Sequence, residues 1–267
     1  MLYTARQAKV CNRYAPRQLR RVNAQASILG LFGGSMALWL DAYRCQTALG
    51  SSVASTPDSS PDRRTITQTT AARQPIISTT TGIKAFVFDG VDDGLVASTL
   101  SLRSTSDMTC LALTRQGTKT TDVCIAESSP TAVPPGGVIF YRSSTRANRS
   151  PASYIAIAAG GNGRGAECSV AYAANVWLQH THIARRSAPF ANQLEHYGNG
   201  VKLTQVNYEA GSGQTFANAV FNLFWRPTGS LFFAGSVVEL ILLRRALTAT
   251  ETIVAQRLLH EIAGLAW

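Results

Sequence analysis

The run Phe233-Ala234-Gly235-Ser236-Val237-Val238-Glu239-Leu240-Ile241-Leu242-Leu243 leads into Leu247-Thr248-Ala249-Thr250-Glu251 and carries the strongest structural signal in the chain. Ser236–Leu243 is an apolar strand rich in branched side chains. Thr248 and Glu251 then fit a capping box, in which hydroxyl and carboxylate each satisfy an orphan amide. Leu247, Val254, Leu258 and Ile262 recur near a 3.6-residue period, and Gly264 can end the turn. The segment therefore predicts a strand followed by a helix over Thr248–Ala263.

Upstream of this segment the chain reads as short strands broken by Gly, Pro, Asn and Ser clusters. They include 36–41, 84–89, 94–99, 108–114, 123–127, 137–142, 153–158, 168–173, 179–184, 193–197, 201–207, 219–225 and 231–234. Asn199-Gly200 predicts a type I′ hairpin turn, since both residues tolerate positive φ. The glycine-rich run Gly160–Gly165 lies between two strands and lacks the Lys-Ser/Thr of a phosphate-binding loop, so it reads as a hairpin connection. About a dozen strands, one closing helix and no internal repeat describe an all-β, two-sheet sandwich with a helix laid over one end. Residues 47–81 differ in texture: 15 of the 35 are Ser or Thr, with three prolines. They are expected to form a long surface excursion whose two ends enter the same sandwich.

Three stretches together resemble the concanavalin A-like (laminin-G-like) jelly-roll modules of phage virion proteins and bacterial surface proteins. They are Met36-Ala37-Leu38-Trp39-Leu40-Asp41-Ala42; Thr70-Ala71-Ala72-Arg73-Gln74-Pro75 with Phe86-Val87-Phe88-Asp89-Gly90-Val91-Asp92-Asp93-Gly94-Leu95; and the Phe233–Glu251 segment. Their order and spacing match across about 230 residues. The Trp-x-Asp-x-Ser-Gly-Asn-Gly-like stretch usual after the first motif has no counterpart in residues 43–65. The resemblance implies a concanavalin A-like sandwich and a bacteriophage virion protein without enzymatic activity. It would serve as a tail-associated fibre or adhesin that presents a lectin-like surface for host attachment. A head-decoration (capsid cement) protein, a free lectin and a degenerate glycosidase are the alternatives.

Charge separates the chain into two parts. Residues 1–21 hold six basic side chains (Arg6, Lys9, Arg13, Arg17, Arg20 and Arg21) and no acid. The other residues carry 19 basic groups against 15 acidic ones, so most of the chain is close to neutral. Residues 1–30 are accordingly expected to form an extended basic anchoring arm ahead of a sandwich spanning 31–267. The arm would grip an acidic portal, adaptor, tail or capsid subunit. Nucleic acid is disfavoured because only Tyr3 and Tyr14 offer base stacking there. Homo-oligomerisation is expected, and so is a virion location after assembly in the host cytoplasm. Mean hydropathy is +0.02, and the weakly polar run 28–40 is too short to span a bilayer. No small-x-small site closes that run as a signal peptide requires. The five cysteines (Cys11, Cys45, Cys110, Cys124 and Cys168) show neither metal-knuckle nor disulfide spacing, and read as small hydrophobes.

Candidate chemistry is sparse. Seven Glu and eight Asp include no Glu-x-Asp-x-x-Glu strand of the kind glycosidases on this fold use. Glu239 sits alone in its apolar strand, on a face with Val237, Ile241 and Leu243. It is expected to form a structural ion pair, because a lone buried carboxylate is costly. Asp89, Asp92 and Asp93 cluster on a turn and are weak candidates for calcium ligands, although tight turns favour Asp on their own account. His180 and His182 share a strand face and are expected to be exposed, without a third metal ligand. Trp225, in a hairpin-like segment, is the first candidate for stacking on a sugar ring, followed by Trp177 and Tyr197.

Overall fold

A computed structural model describes residues 16–102, 105–117, 123–128, 138–142, 152–156, 163–168, 174–185, 188–189, 192–208, 216, 218–226 and 231–267. The chain begins with helix α1 (Pro16–Phe32) and continues through β1 (Met36–Asp41), β2 (Ser55–Pro57), β3 (Thr65–Thr67), β4 (Ile76–Thr80), β5 (Ile83–Asp89) and β6 (Leu95–Leu100). Then come β7 (Asp107–Gln116), β8 (Val123–Ser128), β9 (Val138–Arg142), β10 (Ala152–Ala156), β11 (Gly163–Cys168) and β12 (Trp177–Arg185). The series ends with β13 (Leu194–Gly198), β14 (Val201–Lys202), β15 (Gln205–Tyr208), β16 (Ala219–Leu223), β17 (Ala234–Leu243) and helix α2 (Ala249–Ala263).

The apolar run of β17 is the hub of the first sheet, whose order is β14-β13-β12-β7-β17-β5-β4, with β1 also paired to β17. The second sheet runs β15-β11-β10-β9-β8-β16-β6-β3-β2, and every pairing in both sheets is antiparallel. Because side chains alternate across a strand, each strand of the first sheet feeds two layers. Leu38, Leu40, Phe86, Phe88, Val237, Leu240 and Leu242 belong to the core cluster that also holds Phe221, Phe224 and Phe233 of the other layer. Trp39, Leu111, Ile183, Ile241 and Leu243 join the helices in a separate cluster. A register shift between Val237 and Glu239 moves Val237 into the first layer, so Glu239 shares its side with Ile241 and Leu243 but not with Val237.

The sandwich and the closing helix follow the sequence reading. The capping box of Thr248 and Glu251 is complete, and Gly264 ends α2 in the left-handed conformation at φ 70°. Asn199 and Gly200 turn β13 into β14 with positive φ at both positions. Two expectations are corrected. Residues 16–30 are helical, not extended: Pro16 opens the helix, where its missing N–H costs nothing, and Ala24, Ile28 and Phe32 form a buried stripe at four-residue spacing. The excursion 47–81 is built into the sandwich. Its β2 and β3 extend the edge of the second sheet, its β4 edges the first, and Val53, Ile66 and Ile77 reach the core. Three-residue strands escape recognition because polar Ser and Thr flank a single inward side chain. Among the described residues no helix is long and apolar enough to cross a membrane.

Candidate functional site

Of the arm residues, Arg6, Lys9 and Arg13 lie outside the described residues. Arg17 and Arg20 are exposed on α1 and Arg21 is half-buried; Arg17 Nη2 donates to the Ala263 carbonyl (3.2 Å) and Arg21 Nε to that of Ile262 (2.9 Å). The last carbonyls of α2 carry the negative end of its dipole, so two guanidinium groups there both satisfy and neutralise them.

The aromatic candidates do not converge. Trp225 packs against Gly94, where a Cβ would meet the indole at 2.2 Å, and its Nε1 donates to the Leu95 carbonyl at 3.2 Å. Trp177 is tied to Thr81 through a 2.9 Å hydrogen bond. Tyr197 is buried in the helix-facing cluster, so its ring offers no stacking surface. Asp89, Asp92 and Asp93 do come together, with ligand oxygens within 4.8 Å of one another. Asp89 Oδ1 accepts from the amides of Val91 and Asp92, and Asp93 Oδ2 accepts from that of Asp89, as a tight turn requires. Burial, offset by the Asp89 amide and reinforced by the charges of Asp89 and Asp92, pushes Asp93 up to about 6.

The histidine expectation is also corrected. His180 and His182 are fully buried, and His196 of β13 faces His182 across the ladder, with ring centroids 5.1 Å apart. Burial first, then the neighbouring imidazoles, holds His182 well below its usual range. Nothing local in the sequence marks His196, since it reaches His182 only through strand pairing. Cys45, Cys110 and Cys124 are buried free thiols, as the sequence suggested.

Glu239 has a partner of the opposite kind from the one expected. Asp41 of β1 is its register neighbour, both are fully buried, and the two carboxyls interact directly. Trp39 Nε1 donates to Glu239 Oε2, while Asp41 accepts from Gln25 Nε2 of α1 (2.6 Å) and from the Tyr43 amide (2.8 Å). Arg44 stands farther off, with Nε 3.7 Å from Asp41 Oδ2. Treated as two carboxylates, the pair leaves Glu239 Oε1 with no donor. A single proton shared between the acids removes that deficit, and two charges this close in a dry interior cannot both persist. Burial and the Asp41 charge raise Glu239 well above the usual carboxylate range, so Glu239 carries the proton and Asp41 the charge.

An open cleft of about 740 Å³, within the size range of small-ligand sites, is lined by Tyr43 and Arg44, the residues that touch Asp41 from outside. Its walls are Leu29 of α1, the segment Tyr43–Gln46 that follows β1, and the turn that follows β2. Asp58 organises that turn: Oδ1 accepts from the amides of Trp39 (2.9 Å) and Ser60 (2.8 Å), and Oδ2 from the Ser60 hydroxyl (2.8 Å). Pro61 sets the backbone for a turn, and the Arg63 amide closes it on the Ser60 carbonyl at 3.1 Å. Arg63 then adopts φ 48°, a left-handed conformation unfavourable for a side chain of this kind. Asp62 is held by both Arg64 and Arg244, which fixes the turn to the end of β17. Arg44 and Arg63 both line the cleft and are exposed. Ser59 lines it too, yet its hydroxyl is buried without a hydrogen-bond partner. A second hollow of about 510 Å³ shares Gln46, Pro57 and Arg63 with the first, and on its wall the Thr56 hydroxyl is likewise buried and unpartnered. Sequence reasoning missed this site because its residues come from α1, the β1 exit and the Ser/Thr-rich stretch.

No protein-family model matches the sequence, and no curated protein matches it. Solved structures do. The chain aligns with a structure of botulinum neurotoxin type C, a toxin whose cell entry depends on interaction with two ganglioside molecules. The alignment has TM-score 0.59 and 9% identity, and covers 86% of this chain and 53% of that one. The binding domain of botulinum neurotoxin serotype D/C, strain VPI 5993, matches at TM-score 0.59 and 10% identity, over 85% of this chain and 53% of that one. The fold is concanavalin A-like. This chain spans about half the length of those toxin chains. A carbohydrate-binding module of Ruminococcus gnavus IT-sialidase, bound to α2,3 sialyllactose, aligns at TM-score 0.49 and 14% identity, over 64% of this chain and 95% of that one.

Proposed function

We propose that this protein is a non-enzymatic, lectin-like carbohydrate-binding module, and that the cleft beside Tyr43 and Ser59 is its saccharide site. The observation that carries the reading is the Ser59 hydroxyl, buried without a partner on the wall of an open cleft. An unsatisfied buried hydroxyl costs about 1–3 kcal/mol, a cost that a ligand hydroxyl or ring oxygen removes on binding. Sugars suit such a site because they present several hydroxyls on a compact frame. The likeness in fold to botulinum neurotoxin type C, whose cell entry depends on two ganglioside molecules, supports a glycan ligand as well.

The test is a glycan screen with the full chain, followed by titration of the best binder. Gln46→Trp, at an exposed position shared by both hollows, fills the cleft without changing charge and is expected to weaken binding at least tenfold. Trp225→Ala is expected to leave binding unchanged. The reverse pattern would move the site to Trp225, and absence of any saccharide binding would end the lectin reading.

As its setting we propose a phage particle, with the protein acting as a tail-associated adhesin and head decoration as the alternative. This rests on the sequence resemblance and the basic leader. Since Arg17 and Arg21 are engaged by α2, anchoring would fall to Arg6, Lys9, Arg13 and Arg20.

A further inference from the structure

The walls of the cleft also indicate what kind of saccharide it takes. Two exposed guanidinium groups, Arg44 and Arg63, border one open volume. The acid on the same wall, Asp58, is buried and directs its oxygens at Trp39 and Ser60, three bonds that build the turn. Arg44 has only a long contact to Asp41, whose carboxyl is engaged by Gln25 and the Tyr43 amide. Its guanidinium carbon lies 5.5 Å from the Trp39 ring centroid, which leans the head group toward the protein while 44% of the side chain stays exposed. By contrast, the two other arginines of this region, Arg64 and Arg244, are spent on Asp62. The cleft therefore carries cationic groups beyond what its own acids consume.

Arg63 adds an independent sign. Its backbone occupies the left-handed region, where glycine or asparagine would be comfortable. Strain of this kind persists where the surrounding structure enforces it, and it concentrates at ligand sites. Here it places a guanidinium at the junction of the two hollows.

Resting on the lectin reading above, we infer that the cleft selects a saccharide bearing an anionic group, which Arg44 and Arg63 grip while the Ser59 hydroxyl takes a hydrogen bond from the sugar or gives one to it. A guanidinium meets a carboxylate or a sulfate through paired N–H donors, so either substituent satisfies the chemistry. The adjoining hollow, with the unpartnered Thr56 hydroxyl, gives room for a further sugar unit.

The experiment is calorimetric titration of the full chain with matched ligands: lactose against sialyllactose, methyl glucoside against methyl glucuronide, and a galactoside against its sulfate ester. Each acidic member is expected to bind at least tenfold more tightly than its neutral partner. Arg63→Ala and Arg44→Ala are each expected to erase most of that difference. Both side chains are exposed, and thermal melts confirm that the variants fold. The carboxylate and sulfate arms show which anion the cleft prefers. Equal affinity for neutral and acidic partners would overturn this inference and leave the lectin reading standing, whereas binding of none of them would remove both. Inorganic sulfate binding as tightly as the acidic sugars would also overturn it, by showing an anion hole indifferent to the saccharide.

Discussion

Arg63 shows how one residue can weigh against stability and still belong to a site. An L-residue in the left-handed region costs roughly 1–2 kcal/mol relative to its ordinary conformations, and at φ 48° Arg63 bears that cost in an otherwise well-tied turn. Arg63→Gly removes the steric penalty while adding freedom to the unfolded chain, which offsets part of the gain. The expected outcome is stability unchanged or raised by up to about 1 kcal/mol in urea denaturation, together with weakened binding of acidic saccharides. A stability loss above this scale would mean that the guanidinium holds the turn itself. The neighbouring Asp62 explains why it need not, since Arg64 and Arg244 already clamp that side. None of this was visible in the sequence, where Ser-Pro-Asp-Arg reads as an ordinary turn within a polar stretch. The left-handed residue is known only once the chain on both sides is fixed.

At the scale of elements, the two helices form one layer over the first sheet, and their contact is where the basic leader meets the sandwich. Arg21 donates to the end of α2, and its guanidinium carbon lies 3.3 Å from the centroid of the Tyr43 ring, combining a helix-end charge with a cation–π contact. Arg20, one position earlier, is exposed. Arg21→Ala is expected to cost about 1–2 kcal/mol, and Arg20→Ala less than about 0.5 kcal/mol, measured by chemical denaturation at low salt. Equal small effects would mean that α1 is held by its apolar stripe alone. This layer also shows where legibility ended. Helix α2 declared itself through its capping box, its periodic leucines and Gly264. Helix α1 did not, because only Ala24, Ile28 and Phe32 mark its buried side, while its first turns are dominated by arginines that suggest a solvated tail. Strands β1 and β17 were legible from composition, but their register was not. The meeting of Asp41 with Glu239 needs both a long-range pairing and the irregularity before Glu239, neither of which leaves a local pattern.

For the whole molecule, two buried groups, His182 and Glu239, contribute to how stability varies with pH. His182 is kept neutral by burial and lies well below its unfolded value of 6.5. Its contribution is therefore present above pH 6.5 and is lost as pH falls through that value toward its folded one. Glu239 is kept protonated and lies well above its unfolded value of 4.5, so its contribution is present below pH 4.5 and is lost as pH rises toward its folded value. Between pH 4.5 and 6.5 the two groups act on stability with opposite sign, each with a slope of at most about 1.4 kcal/mol per pH unit. Glu239→Gln separates them. The amide oxygen can accept from Trp39 Nε1 and the amide N–H can donate to Asp41, so the shape and bonding of the protonated acid are kept while its titration is removed. Asp41, raised by burial and lowered by its hydrogen bond with Glu239, keeps a neutral donor in the amide of the variant, so its own titration changes little between the two proteins. The stability of Glu239→Gln relative to the parent chain is expected to increase by about 1.4 kcal/mol per pH unit across that window, read from urea denaturation at pH 4.5, 5.5 and 6.5. A difference independent of pH would mean that Glu239 is ionised in the folded protein, and the shared proton between it and Asp41 would have to be abandoned. A loss of several kcal/mol at every pH would instead assign the site to packing that only the native acid can supply. The helix layer, the sheet beneath it and the wall of the cleft all converge on this one pair, which makes the pH series a test of how the molecule is assembled as well as of a single side chain.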